Sequence, residues 1–511
     1  MDVKSWLEKN GKWAGWAGLA ALGVVMVLIR MHFVAEPLER NYTGWAYIAH
    51  QLLAGERLYT DLWDIKPPGI HILYVLGHML WGYKASALVY LGMLPALASL
   101  LLIYFILNRI SNRALALLGS SFWALAANAL QLQGNMPASE VFINAFNLLA
   151  IWGLVEYFYK KNLLYLWLAG AGMAFSSYIK MHALFPFLLF CLYILGNNLK
   201  DKERPWLSTT LREYIAFSVP SLVLWLGTFA YFYLQHRFAD FYGTVFVEIS
   251  GHAGNIFGNF FRYLTHKSLL LPGFMVEVKI LVLFTLGWAL LSLGDAKPTV
   301  VGRRFWFVVL LGECLSLSSA QQFFASYYLL LLPGMVICSV LFVREVFELL
   351  KTQSAPARWR ITGVLAAVVL AYLGAYQIRA LSLTMEQVTR LKYNSLEFEH
   401  ARTLGEIVKG LTRPGDLVSG YFSNPSLYFY SGRKCATRAI FFAPSTQVLV
   451  TPEDRTRQYY QDLVARPPAV FVWATSYGDI NGSMVGPFIH DNYQLVQQYM
   501  YYDIYQRKRA D

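Results

Sequence analysis

The chain has 511 residues, of which 56% are hydrophobic and only 14% charged, with a mean hydropathy of +0.40. Soluble domains carry about 25% charged residues, so these figures exclude an ordinary soluble enzyme and indicate a polytopic membrane protein. The net charge of +12 does not make a nucleic-acid binder, because most lysines and arginines stand in short segments between apolar runs, as membrane topology requires.

The 16% aromatic content suits the membrane–water boundary and also sugar-binding surfaces. Cys191, Cys314, Cys338 and Cys435 are scattered without metal-ligand spacing, and three lie in predicted spans, so neither a disulfide framework nor a zinc site follows.

In chain order, Lys4, Lys9 and Lys12 precede a first apolar run at about 13–33, read as a signal anchor because no cleavage site closes it. A polar segment, 34–84, follows. Within it "TGWAYIAHQLLAG" (43–55) has helical spacing and an apolar face. That predicts a helix on the membrane with Trp45 and Tyr47 at headgroup level. "PPGIHILYVLGHMLWG" (67–82) predicts a second surface helix, with Pro67 suited to its first turn.

Further runs near spanning length lie at roughly 85–108, 114–131, 141–158, 163–179, 182–197, 215–235, 274–293, 305–321, 327–343 and 361–379, about eleven with the first. With the N-terminus inside, the inner loops collect Arg109 and Arg113, Lys160 and Lys161, Lys200, Lys202, Arg204 and Arg212, Lys297, Arg303 and Arg304, then Arg344, Lys351, Arg358 and Arg360. The short outer connections 132–140, 180–182 and 322–327 hold Lys180 alone. This asymmetry orients the chain. It leaves 34–84, about 236–273 and the tail outside.

The tail from 381 reads as a small α/β domain. "LVSGY" and "AVFVWA" are buried strands, "TPEDRTRQYYQDLVAR" a helix capped by Thr451, and "NYQLVQQYMYYDIYQRK" an edge strand. The expected architecture is therefore an α-helical polytopic membrane domain, 1–380, and an extracytoplasmic α/β domain, 381–511.

Chemistry concentrates in the first outer segment, which contains Glu36, Glu39, Arg40, Asn41, Glu56, Arg57, Asp61, Asp64 and Lys66, the last five of them between the two predicted surface helices. Any one of these carboxylates is ordinarily just solvated; the cluster is what stands out. Glu140, at the outer mouth of a span, suits an acceptor or a metal, but equally complements a helix dipole. Lys180 ends a span, where it meets phosphate or merely snorkels. Glu313 is an acid inside a span, which raises a transporter alternative. No inverted repeat supports that alternative. His236, His252 and His266 form no metal motif, and Arg433, Lys434 and Arg438 make a basic patch suited to acceptor or lipid headgroups but read first as a solvated basic face.

The stretch "LERNYTGWAYIAHQLLAG…YTDLWDIKPPGIHILY" resembles the first-loop signature of the GT-C membrane glycosyltransferases, in the branch with protein O-mannosyltransferases and lipid A aminoarabinose transferases. The likeness continues through "NMPASEVFINAFNLLAIW", "YIKMHALFPFLLF", "FFASYYLLLLPG" and "RPGDLVSGYFSNPSLYFYSGRKCATRAIF". It implies transfer of a sugar from a polyprenyl-phosphate donor to a glycan, lipid or protein acceptor on the outer face of a bacterial inner (plasma) membrane. Such chemistry needs a carboxylate to take the acceptor's proton and cations or a metal to hold the departing phosphate. Membrane lipids are the remaining partner.

Residue by residue, Asp64 and Lys66 match the family's WD-x-KPPG element, with Lys66 facing donor phosphate. Lys180 matches a family lysine. The family's acidic pair falls on Asn41 and Tyr42, and neither is a carboxylate. A basic residue and a histidine give way to Gln321, Gln322 and Ser326. Two readings follow. In one, Asp64, Glu39 or Asp61 serves as base, with Lys66, Arg40, Asn41, Lys180 and Glu140 binding substrate. In the other, the chain keeps the scaffold without the chemistry, as a binding subunit of envelope polysaccharide assembly. Whether a divalent metal takes part stays open, and no other cofactor is implied.

Overall fold

The computed structural model describes residues 3–201, 203, 205–250, 255–294, 300–319, 322–442 and 453–508. The Thr451 cap, Gln321, His252, Lys202, Arg204 and Lys297 lie outside the described residues. A helix occupies each of the eleven apolar runs: α1 (Val3–His32) and, after two helices of the first polar segment, α2 (Arg40–Leu53) and α3 (Pro68–Trp81), the helices α4 (Ala85–Ile110), α5 (Arg113–Ala126), α6 (Ser139–Lys160), α7 (Leu163–Ile179), α8 (Leu184–Asn198) and α9 (Trp206–Leu234). Lys279–Leu291, Arg303–Ser318, Leu332–Leu349 and Ala355–Leu381 complete the set. By length and composition, 8 of these helical stretches can cross a membrane. Three others, α5, α7 and Arg303–Ser318, are shorter.

By internal packing the chain forms two compact units, and these cut across sequence order. One comprises 1–34, 89–231 and 253–384; the other comprises 35–88, 232–252 and 385–511. In the first, 83% of the residues in the most apolar window of α6 and of Ala325–Thr352 are buried, so these form its interior, whereas only 22% are buried in that of Met181–Asn198, α9 and Ala355–Leu381, which leaves their apolar flanks open.

The expected run 114–131 ends early, at Ala126, because the chain then turns around a buried cation. Arg30, near the end of α1 and 1% exposed, donates to the carbonyls of Gly92 (3.2 Å), Ala127 (3.3 Å), Asn135 (3.4 Å) and Gly134 (2.5 Å). A guanidinium has five donors in a planar fork, and four backbone acceptors here occupy it.

The second unit carries a five-stranded sheet in the order β2-β1-β3-β5-β4, built from β1 (Leu417–Tyr421), β2 (Lys434–Cys435), β3 (Val470–Ala474), β4 (Tyr493–Tyr499) and β5 (Tyr502–Arg507). β1 runs parallel to β2 and β3, and β5 runs antiparallel to β3 and β4. The stretch expected as one edge strand is thus a hairpin. Its turn passes through Met500 at φ 53°, and "YMYY" lacks the Asn-Gly or Asp-Gly pair that usually marks such turns. Tyr421, Tyr459, Phe471, Trp473, Ile489 and Tyr493 fill the core on one face of this sheet.

Both surface helices exist, but α2 does not present Trp45 and Tyr47 to headgroups. They are 3% and 1% exposed. Residues from Tyr42 to Ala49 are all buried, because the Ser426–Ser431 helix covers α2: Thr43 and Ser426 share a hydrogen bond of 2.9 Å, and the Tyr47 hydroxyl accepts from the Cys435 N–H at 2.8 Å. α3 keeps an open apolar face of Ile72, Leu76, Met79 and Leu80, spaced to lie along one side of a helix.

Candidate active site

The site grows from α2. Glu39 is its N-cap, in extended conformation, and its carboxylate accepts from both the backbone N–H and the side-chain amide of Asn41, each at 2.9 Å. The Arg40 guanidinium stands 3.6 Å away. Glu39 is only 7% exposed. Burial therefore pushes its carboxyl above the usual value, with Arg40 and Asn41 opposing and Glu397 adding to the rise. Asn41 thus clamps Glu39 through both of its carboxylate oxygens.

Six residues on, Trp45 donates its indole N–H to Asp64 Oδ2 at 2.9 Å. At 1.5 Å rise per residue the backbones of Glu39 and Trp45 stand about 9 Å apart along the helix axis. Asp64 is buried. Its Oδ1 accepts from the Lys66 backbone N–H at 3.2 Å, and its Oδ2 lies 3.5 Å from His71 Nε2 on α3. Burial holds the fully buried His71 below its ordinary value, with Asp64 opposing and Lys66 assisting. The Tyr59 hydroxyl then donates to the Lys66 carbonyl at 2.7 Å. Asp64 is thus the knot of the WD-x-KPPG turn: it ties that turn to α2 and α3 and fixes the backbone of Lys66. The half-buried Lys66 ammonium pairs with no carboxylate among the described residues.

Asp61 is engaged elsewhere. Its carboxylate takes the Arg57 guanidinium at 2.8 and 3.1 Å and the Arg57 N–H at 2.9 Å, so Arg57 holds it below the usual carboxylate range. Glu36 forms a fully buried ion pair with Lys392, and Glu56 pairs with Lys434. The expected solvated basic face is a set of fasteners. Arg433 donates to Thr412 and to the Lys409 carbonyl at the end of the helix Glu397–Leu411, and Arg438 grips Asp462.

In the first unit Lys180 and Glu140 pair with one another, buried at 8% and 1% exposure, with Ser139 donating to the second Glu140 oxygen at 3.1 Å. Lys180 therefore does not snorkel. α6 and α7 form an antiparallel pair, which sets the start of one beside the end of the other. Glu313 accepts from the Gly334 N–H at 2.9 Å.

Among the described residues no three histidine, cysteine or carboxylate side chains stand together as a metal-binding group. The residues that reasoning along the sequence missed are Trp45 as a partner of Asp64, His71, and Arg30. His71 carried a signal, being seven residues beyond Asp64 on a helix opened by Pro67.

No family model matches the chain, and no curated protein matches it by sequence. Solved structures are similar in fold. ArnT from Cupriavidus metallidurans bound to undecaprenyl phosphate aligns with a TM-score of 0.63 and 14% identity, over 97% of this chain and 98% of its own. The archaeal oligosaccharyltransferase AglB from Archaeoglobus fulgidus, in complex with an inhibitory peptide and a dolichol-phosphate, aligns at 0.58 and 9% identity, over 95% of this chain and 73% of its own. The mycobacterial arabinofuranosyltransferase AftD aligns at 0.54 and 14% identity, over 96% of this chain but 40% of its own.

Proposed function

We propose that this chain, which has the fold of the GT-C membrane glycosyltransferases, moves a sugar from a polyprenyl-phosphate donor to a glycan, lipid or protein acceptor on the outer face of a bacterial inner membrane. The observation that carries the reading is the Lys66 turn, pinned by Asp64 to Trp45 and set against His71. A buried carboxylate spent on orienting one lysine makes sense when that lysine must meet a fixed charge. A lipid phosphate is such a charge.

In this mechanism Lys66 takes the charge that develops on the departing phosphate, which is where preorganised electrostatic stabilisation is strongest. Glu39 accepts the acceptor's proton as the acceptor oxygen attacks the anomeric carbon. Its raised carboxyl is nearer the operating pH than an ordinary glutamate, as a general base requires. Asn41 holds Glu39 in one rotamer, and Asp64 orients Lys66.

The test is release of polyprenyl phosphate from a panel of polyprenyl-phosphate sugars by the full chain in nanodiscs, with several acceptors. Lys66→Met is expected to raise the donor KM at least about ten-fold, since it loses a charge-assisted contact. Glu39→Gln is expected to lower kcat by about 100- to 10,000-fold with donor binding kept. Donor binding without turnover for any acceptor would favour the scaffold reading. Absence of donor binding would overturn both.

A further inference from the structure

Trp63, the residue directly before Asp64, is held by two arginines from the far end of the chain. The Arg455 guanidinium lies 3.7 Å from the centre of its ring and that of Arg438 lies 5.2 Å away. The Trp63 N–H also donates to the Arg438 carbonyl at 3.0 Å. Two cations near one indole are each attracted to the ring but repel one another. Each is neutralised by its own carboxylate. Arg438 makes a two-pronged pair with Asp462 at 3.1 Å on both prongs. Arg455 donates through Nε to Glu248 at 3.0 Å, and it also reaches the Thr244 hydroxyl at 3.2 Å.

The segment 58–66, Arg438 and the helix Glu453–Ala465 therefore meet at a single side chain, and 243–248 is joined to it through Arg455. We infer that Trp63 is a positioning residue, through which Arg438, Arg455 and Glu248 set the place of Asp64 and hence the presentation of Lys66. The effect of Trp63 passes through the backbone, because fixing residue 63 on both its ring and its N–H fixes the direction in which residue 64 leaves. The C-terminal segment then belongs to the catalytic assembly, and a change at Glu248 is felt at Asp64 although the two share no contact in the structure.

This inference rests on the proposed role of Lys66, but it can be read without any donor. Trp45 donates to Asp64, so its indole reports the place of that carboxylate. With 5-fluorotryptophan incorporated in the full chain, the Trp45 resonance is identified by its loss in Trp45→Phe. In Glu248→Gln and in Arg455→Gln it is expected to shift in the same direction, and the double variant should add nothing to either alone. Trp63→Phe, which keeps an aromatic face, should restore most of the position lost in Trp63→Ala. The isosteric Glu248→Gln guards against simple failure of Trp63→Ala to fold.

A Trp45 resonance unmoved by Glu248→Gln and Arg455→Gln, while that of Trp63 moves, would overturn the inference whatever the activity proves to be. In the transfer assay the same two variants are expected to raise the donor KM about five-fold or more, in the same direction as the larger rise expected of Lys66→Met. A shifted Trp45 resonance with no donor binding in the wild type would instead leave the positioning intact and sink the functional reading.

Discussion

At the scale of single residues, Glu39 shows how a cost in stability is tied to chemistry. Its carboxyl is raised in the fold by burial, so the folded state favours the protonated form. The contribution of Glu39 to stability is present at low pH and is lost as pH rises from the ordinary carboxyl range through the raised value. In the proposed reaction activity runs the other way, since a base must be ionised. The acid limb of the kcat/KM profile is therefore expected above the usual glutamate range, and Glu39→Gln should remove it while leaving the thermal midpoint at neutral pH unchanged or higher. Glu39 was visible in the sequence as an acid close to Asn41; the clamp was not, because an asparagine's partner depends on rotamers. Glu36 and Lys392 were less legible still. Their 356-residue separation hides a pair with no exposed side-chain surface. Removing one partner leaves the other charge buried, so Lys392→Met should cost about 3–5 kcal/mol by denaturant unfolding.

At the scale of elements, periodicity identified α2 as amphipathic but could not say what covers its apolar face. The cover is protein rather than lipid, and the closeness is specific. A Cβ at Gly44 would fall 2.2 Å from Phe441 and 2.9 Å from Pro425. Gly44→Ala should therefore separate α2 from the Ser426–Ser431 helix at a cost of about 1–3 kcal/mol, read as a lower thermal midpoint together with weaker donor binding. The loop after α5 depends in the same way on one side chain. Arg30→Met would strand four buried carbonyls, and a loss of about 3 kcal/mol or more is expected from denaturation of the membrane unit. Lysine would not replace it, having no planar fork.

At the scale of the whole molecule, the cation asymmetry between alternate loops implies an orientation. It predicts that the first polar segment, 34–84, and the tail lie on the outer side, where the proposed lipid-phosphate donor would be met. A phosphatase fused after residue 511 should be active, whereas one fused after Ser111 should be silent, with fluorescent-protein fusions giving the converse. The reverse pattern would place Lys66 on the cytoplasmic side and remove the basis of the proposed reaction. The two compact units show why domains are hard to read along a chain: 35–88 and 232–252 leave the membrane-spanning part of the sequence to pack with 385–511, and nothing in their composition announces the partner.

Hydropathy, helical period and strand composition are sums over short windows, and for that reason the sequence by itself determined the membrane class, the eleven apolar helices, and the strands β1 and β3 of the tail. The WD-x-KPPG stretch likewise marked where the charged groups gather. Only the tertiary structure decided which charges are free and which are spent: Asp61 on Arg57, Glu140 on Lys180, Asp64 on the turn that carries Lys66. A charge's role depends on its nearest opposite charge and on its distance from water. Both depend on side-chain rotamers and on which segments fold over the group, whether the partner stands 4 residues away, as for Asp61, or 356, as for Glu36, and a sum over a short window reads neither.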